Sequence, residues 1–301
     1  MITETAVVFP CQGEEMLGIV STPAVPAPPA RHAVLIVVGG PQYRIGSHRM
    51  FVRLAHSLAG QGIAAMRFDA RGMGDSSGPR QYFEDFYADI RAALDALFLE
   101  VPTLRSAAIW GLCGGATAAL LYVRRTKDAR VKALMLVNPW VRTDETAAVT
   151  QVKHYYLQRL AQKEFWLKLL RGGVSLGSSL GELAQALRLS ARATRRRESD
   201  ALAIAEDDGA ADDRTDLGVR MGAAWAAFAA SGGRTLLILS GNDYTAKEFL
   251  ETVQMNPTWQ QNLAHPLTAR LDLPGADHTF PQPEAHARVE QATAQFAASM
   301  P

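Results

Sequence analysis

Apolar and polar positions along the chain change period several times, and those changes lay out its elements. Residues 6–9 and 16–21 are short apolar segments around Cys11-Gln12-Gly13-Glu14, the pattern of an antiparallel hairpin with Cys11 at its turn. The proline-rich stretch 22–29 cannot continue a ladder and reads as a connector. From residue 32 onward, unbroken apolar runs alternate with helical spacing. Runs at 32–38, 63–68, 106–112, 131–137, 234–240 and 269–273 have the character of parallel strands buried on both faces. Between them, 46–62, 82–100 and 114–125 repeat apolar residues every three or four positions, the last two carrying Phe83, Phe86, Ile90, Leu94 and Leu97 and an alanine-rich face. Residues 245–262, broken at Pro257, and 283–299 complete the helical set. Such alternation predicts a mostly parallel sheet with right-handed crossovers and helices on both faces.

The alternation stops between residues 141 and 233. That segment reads as helices around 149–170, 180–196 and 217–230, so the expected organisation is a catalytic domain of residues 1–140 and 234–301 with a helical cap at 141–233. Within the cap, Arg188, Arg192, Arg195, Arg196 and Arg197 precede Glu206, Asp207, Asp208, Asp212 and Asp213. A solvated helix face followed by an acidic loop accounts for them, and docking of an acidic carrier or phosphorylated substrate is the alternative.

Chemistry concentrates where buried strands end. Gly111-Leu112-Cys113-Gly114-Gly115 follows the 106–112 run and opens a helix, the context of a nucleophile elbow whose usual form is G-x-S-x-G. Small residues two before and two after the nucleophile are a steric need there. Asp243 and His278 each follow another buried run, which brings all three to one rim of a parallel sheet. Their chain order, nucleophile then acid then histidine, is that of the α/β-hydrolases. In such a set the histidine moves the proton, the carboxylate fixes its tautomer, and cysteine is a strong nucleophile once ionised. Asp144 is the alternative acid, and capping of the next helix is the alternative task for Asp243. For the oxyanion, the N–H of Gly114 is one donor, and the Gly39-Gly40-Pro41-Gln42-Tyr43 turn offers the second. Pro41 has no N–H, so Gln42 comes first and Gly40 next. Gly114, lacking a side chain, would leave its N–H less walled in than a larger residue would. Tyr43, Arg44, His48 and Trp140 are candidate substrate contacts. Asp69-Ala70-Arg71-Gly72-Met73-Gly74-Asp75-Ser76 reads as loop scaffold.

Composition narrows the class without naming a substrate. A length of 301 residues and a formal charge of +1 suit a globular enzyme and give no global reason to expect nucleic acid as a partner. Two cysteines, Cys11 and Cys113, cannot make a disulfide framework, and no apolar run is long enough to span a membrane. A cytoplasmic location is expected. Histidine spacing offers no metal site such as H-E-x-x-H, and no cofactor motif stands out.

Six segments carry a family resemblance: Gly39-Gly40-Pro41-Gln42-Tyr43-Arg44, Gly46-Ser47-His48-Arg49, Arg67-Phe68-Asp69-Ala70-Arg71-Gly72, Gly111-Leu112-Cys113, Thr245-Ala246-Lys247-Glu248-Phe249 and Ala276-Asp277-His278-Thr279-Phe280. Together they resemble those of the exosortase A system-associated hydrolases, type 1, from bacterial exopolysaccharide and protein-sorting loci. The resemblance implies the α/β-hydrolase fold, with a mostly parallel eight-stranded sheet, and the triad Cys113, Asp243 and His278. The expected activity is cleavage of an ester, thioester or lactone on a small acyl substrate, with the acyl group carrier- or saccharide-linked as a variant. Acyl transfer to a sugar or carrier, and a catalytically silent binding protein of the exopolysaccharide machinery, are the alternatives.

Overall fold

The computed structural model describes residues 1–25, 27–141 and 216–301. The chain divides into two compact units, Met1–Trp140 with Met221–Pro301, and Val141–Arg220. The helices expected around 149–170 and 180–196, the Arg-rich and acidic runs and Asp144 lie outside the described residues.

Eight strands among the described residues form one sheet: β1 (Ile2–Cys11), β2 (Glu14–Pro23), β3 (His32–Val38), β4 (Ala64–Phe68), β5 (Ser106–Leu112), β6 (Val131–Val137), β7 (Arg234–Ser240) and β8 (Thr268–Leu273). Their spatial order is β1-β2-β4-β3-β5-β6-β7-β8. Only the β1–β2 and β2–β4 pairings are antiparallel. From β4 to β8 every neighbour is parallel. All seven residues of β5 are buried, as are the last six of β3 and of β7, which is why these strands read as unbroken apolar runs. This is the α/β-hydrolase fold.

The helices are α1 (Met50–Gly60), α2 (Tyr87–Glu100), α3 (Gly114–Thr126), α4 (Leu217–Ala230), α5 (Tyr244–Met255), α6 (Pro257–Ala264) and α7 (Pro283–Ala298). The expected helix over 46–62 begins later, at Met50. Gly46, His48 and Arg49 all have positive φ (74°, 53° and 58°), so the chain passes through one 3₁₀ turn before the helix can propagate. The 82–100 helix is also divided. Phe83–Asp85 makes a separate 3₁₀ turn, and only Phe86 and the residues beyond it supply the buried stripe. At the amino end, the Gln12-Gly13 turn has φ of 49° and 86°, the type favoured by strand twist. Cys11 is the last residue of β1 and is buried, one step before the turn at which the sequence places it. Thr22 and Pro23 still pair with β1, so the connector begins after Pro23.

Candidate active site

β5 delivers the chain to Cys113, and α3 leaves from Gly114. Cys113 has φ 58° and ψ −121°, a conformation that side-chain-bearing residues avoid. Four glycines make it attainable. A Cβ on Gly39 would stand 1.9 Å from the nitrogen of Gly115, one on Gly111 2.3 Å from the Gly115 carbonyl carbon, and one on Gly115 2.3 Å from the oxygen of Val37. Strand, helix and oxyanion turn are thus in backbone contact. Hydrogen bonds hold the turn from the β6 side: the Cys113 N–H donates to the Val137 carbonyl (2.9 Å), and the Cys113 carbonyl accepts from Trp140 N–H (3.3 Å). Trp140 therefore lies beside the elbow through its backbone.

Gly114 is enclosed, contrary to the expectation from its missing side chain. A Cβ there would meet the Gly39 oxygen at 2.7 Å and the Phe83 ring at 2.8 Å. Phe83 stands in the space that a larger residue after the nucleophile would fill. Sequence reading assigned this ring to the helical core stripe. Its true role follows from the 3₁₀ turn that lifts it onto α3, for which the sequence carries no signal.

His278 lies in the turn that follows β8. Its Nδ1 pairs with Asp243 Oδ2 at 2.8 Å, and Cys113 stands beside its ring. Bonding to Asp243 first, and the neighbouring Cys113 second, raise the imidazole from 6.5 to about 10 against the opposing effect of burial. Asp243 is nearly buried and performs both tasks that the sequence left open. While Oδ2 faces His278, Oδ1 accepts the N–H of Thr245 (3.1 Å) and Oδ2 that of Ala246 (3.3 Å), so the same carboxylate caps α5.

The turn after β3 differs in detail from its sequence reading. The Gln42 N–H donates back to the Gly40 carbonyl at 2.7 Å, closing the turn on itself. The backbone N–H favoured from the sequence as an oxyanion donor is thus already engaged within the turn. The N–H groups of Gly40 and Gly114 have no hydrogen-bond partner among the described residues. Gln42 keeps a buried side-chain Oε1 without a partner. Arg44, read as a substrate contact, is instead nearly buried and committed: its N–H donates to Asp69 Oδ1 (2.8 Å), and its Nη1 bonds to Asp69 and to Asp75 (2.8 Å). Tyr43 donates its hydroxyl to Asp75 at 2.5 Å and lies under the Arg44 guanidinium. These contacts tie the oxyanion turn to the loop after β4. His48 is exposed in its strained 3₁₀ turn. Arg71 is scaffold, as expected, fixed by a buried two-point pair with Asp89.

Among the described residues, no group of three or more histidine, cysteine or acidic side chains forms a metal-holding cluster, and no helix is long and apolar enough to cross a membrane.

Comparison with known proteins agrees with the fold. The family model for serine aminopeptidase, S33, matches residues 28–241. Among solved structures, an esterase from Pyrococcus furiosus superimposes with a TM-score of 0.61 at 14% identity, covering 99% of this chain and 91% of that one. An esterase from Butyrivibrio proteoclasticus with ferulic acid bound gives 0.58 at 15% identity, covering 98% and 99%. A lidless serine hydrolase from Xanthomonas campestris gives 0.55 at 12% identity, covering 99% and 97%. Among curated proteins none matches the chain.

Proposed function

The chain belongs to the serine aminopeptidase S33 family of α/β-hydrolases, and from that premise we propose that it is an acyl hydrolase in which Cys113 replaces the usual serine. The single observation that carries the reading is the His278 ring, paired through Nδ1 with Asp243 and standing beside Cys113. An imidazole raised to about 10 is protonated at neutral pH. A protonated ring beside a cysteine is an arrangement suited to a cysteine nucleophile.

The Cys113 thiolate attacks the carbonyl carbon of an ester, thioester or lactone, and the developing oxyanion is received by the N–H groups of Gly114 and Gly40. Gly40 takes precedence because the Gln42 N–H closes the turn. As the tetrahedral adduct collapses, the bond to the leaving group breaks and the His278 imidazolium gives that group its proton. The now neutral His278 takes a proton from water, the resulting hydroxide attacks the acyl-cysteine, and collapse releases the acid and restores the pair. The motifs shared with the exosortase-associated hydrolases support a substrate linked to exopolysaccharide production and a cytoplasmic setting. The helical spacing of residues 141–233 supports reading them as a cap.

An activated short-chain ester tests the mechanism. It should give a burst of one equivalent and one acyl adduct on Cys113, absent from Cys113→Ala. Cys11 is the internal control, since burial raises its thiol and leaves it inert. An adduct on Cys11 alone, or turnover undiminished in Cys113→Ala, sinks the proposal.

A further inference from the structure

We propose that Asn138, at the end of β6, is the positioning residue that sets the acid and the histidine of the site in register with the nucleophile. The inference rests on the triad reading above and adds a residue that touches no reacting atom.

Asn138 is fully buried and has φ 43°. Its backbone N–H donates to the Ile238 carbonyl at 3.0 Å, joining the end of β6 to β7. Its side chain then makes three bonds. Nδ2 donates to Ser240 Oγ (2.9 Å) and to the His278 carbonyl (3.2 Å), while Oδ1 accepts the Ser240 N–H (2.8 Å). Ser240 Oγ in turn donates to the Asp277 carbonyl at 2.9 Å. One amide therefore joins the strand end three residues before Asp243 to the backbone of the residue whose ring pairs with Asp243.

The third member is held by the neighbours of Asn138. The Val137 carbonyl accepts the Cys113 N–H, and the Trp140 N–H donates to the Cys113 carbonyl. All three loops that carry the chemistry thus meet within a few residues of one side chain. Its separation from Ser240 is 102 residues and from His278 140 residues, so these side-chain bonds are long-range and add to the backbone bonds Gly241 N–H to Leu273 and Asn242 N–H to Ala276 that also join the β7 and β8 ends.

Chemistry selects asparagine here on two independent grounds. The left-handed backbone is open to glycine, asparagine and aspartate at little penalty. The bonding pattern needs two donors and an acceptor in one short planar group, which among these only the amide supplies. Aspartate would face the Ser240 hydroxyl and the His278 carbonyl with no donor and would bury a charge.

The test is the pH profile of Cys113 alkylation by iodoacetamide, with the adduct located by mass spectrometry and melting temperature recorded alongside. In the wild type, His278 should make alkylation of Cys113 fast at pH 6, and in His278→Ala alkylation should be slow there, with a profile rising near pH 8.5 as for an ordinary cysteine. Asn138→Gly keeps the backbone conformation and removes the amide, and Ser240→Ala removes the hydroxyl link to Asp277. Each should move the profile toward that of His278→Ala and slow alkylation at pH 6 by about tenfold. A merely structural asparagine would lower the melting temperature and leave the profile in place.

If Asn138→Gly does not fold, Ser240→Ala decides alone. A folded variant whose profile overlays the wild type overturns the positioning role while the triad stands. A wild type that overlays His278→Ala instead overturns the triad reading, and this inference with it.

Discussion

Replacing Asp243 with asparagine separates its two tasks. The amide keeps an oxygen for the N–H groups of Thr245 and Ala246, and asparagine is as good an N-cap as aspartate, so α5 should remain capped. What disappears is the negative charge facing His278. Asp243 supplies the largest of the influences that raise the imidazole from 6.5 to about 10, by hydrogen bond and again by charge. The whole displacement is 3.5 units, the difference between those two values. With two of the four upward influences removed, including the largest, the Asp243→Asn imidazole should titrate at least ~1.5 units lower. At about 1.4 kcal/mol per unit this is roughly 2 kcal/mol, and about 1–2 kcal/mol after allowing for screening of a ring that is a third exposed. The sign is fixed: His278 is raised in the fold, so its stabilising share is complete below pH 6.5 and fades as pH climbs through about 10. The assay is a proton NMR titration of the imidazole in protein labelled at histidine, read beside an unfolding curve at pH 7 and pH 10. Wild type should lose stability between those two values, and Asp243→Asn should lose less. Coincident His278 titrations in the two proteins would refute the assignment of Asp243 as its partner.

Two further outcomes follow from packing and charge. Gly114→Ala should lower kcat by about 10²-fold, the scale of losing one oxyanion donor, because the new Cβ displaces the Gly39 carbonyl. Adding Phe83→Ala should recover little, since the backbone oxygen at 2.7 Å stays where it is, and full recovery in steady-state kinetics would show that only the ring mattered. Remote from the site, Asp128 is held down at about 2 by hydrogen bonds from Arg130 and Tyr122 that outweigh its burial. Its contribution is therefore present above about pH 4 and lost as pH falls through 2, so Asp128→Asn should destabilise by about 1–2 kcal/mol at pH 7, with the gap from wild type narrowing in urea unfolding at pH 3.

The central strands were legible to the residue because burial on both faces makes each a nearly continuous apolar run, with Lys132 of β6 the one exposed position. β3, β5, β6 and β7 begin and end where the apolar runs do. The start of α1 was not, because His48 and Arg49 adopt left-handed backbones that their residue types do not announce, whereas α3 and α7 begin at Gly114 and Pro283 as expected. At the site, Cys113 and Asp243 were visible as reactive types after buried strands, whereas His278 follows β8, an edge strand in which only Leu273 is buried and not the doubly covered strand its apolar run predicts. The Gln42 donor was misplaced because the hydrogen bond that closes a three-residue turn depends on backbone angles alone. Phe83 and Asn138 escaped for a different reason. An aromatic in a helical stripe looks like core, and a polar residue ending an apolar strand looks like the first residue of a loop. Only the long-range contacts give either of them a task.

The packing around the elbow also bears on how the reaction type can change over time. Gly39, Gly111, Gly114 and Gly115 have no freedom, since a methyl group on any of them would strike backbone. Cys113 itself is only half-buried and its backbone is fixed by those neighbours. Sulfur can therefore replace oxygen at that tip without disturbing the frame. Exchange of nucleophile at this elbow is a one-codon step, whereas a side chain at any of the four glycines must first displace backbone.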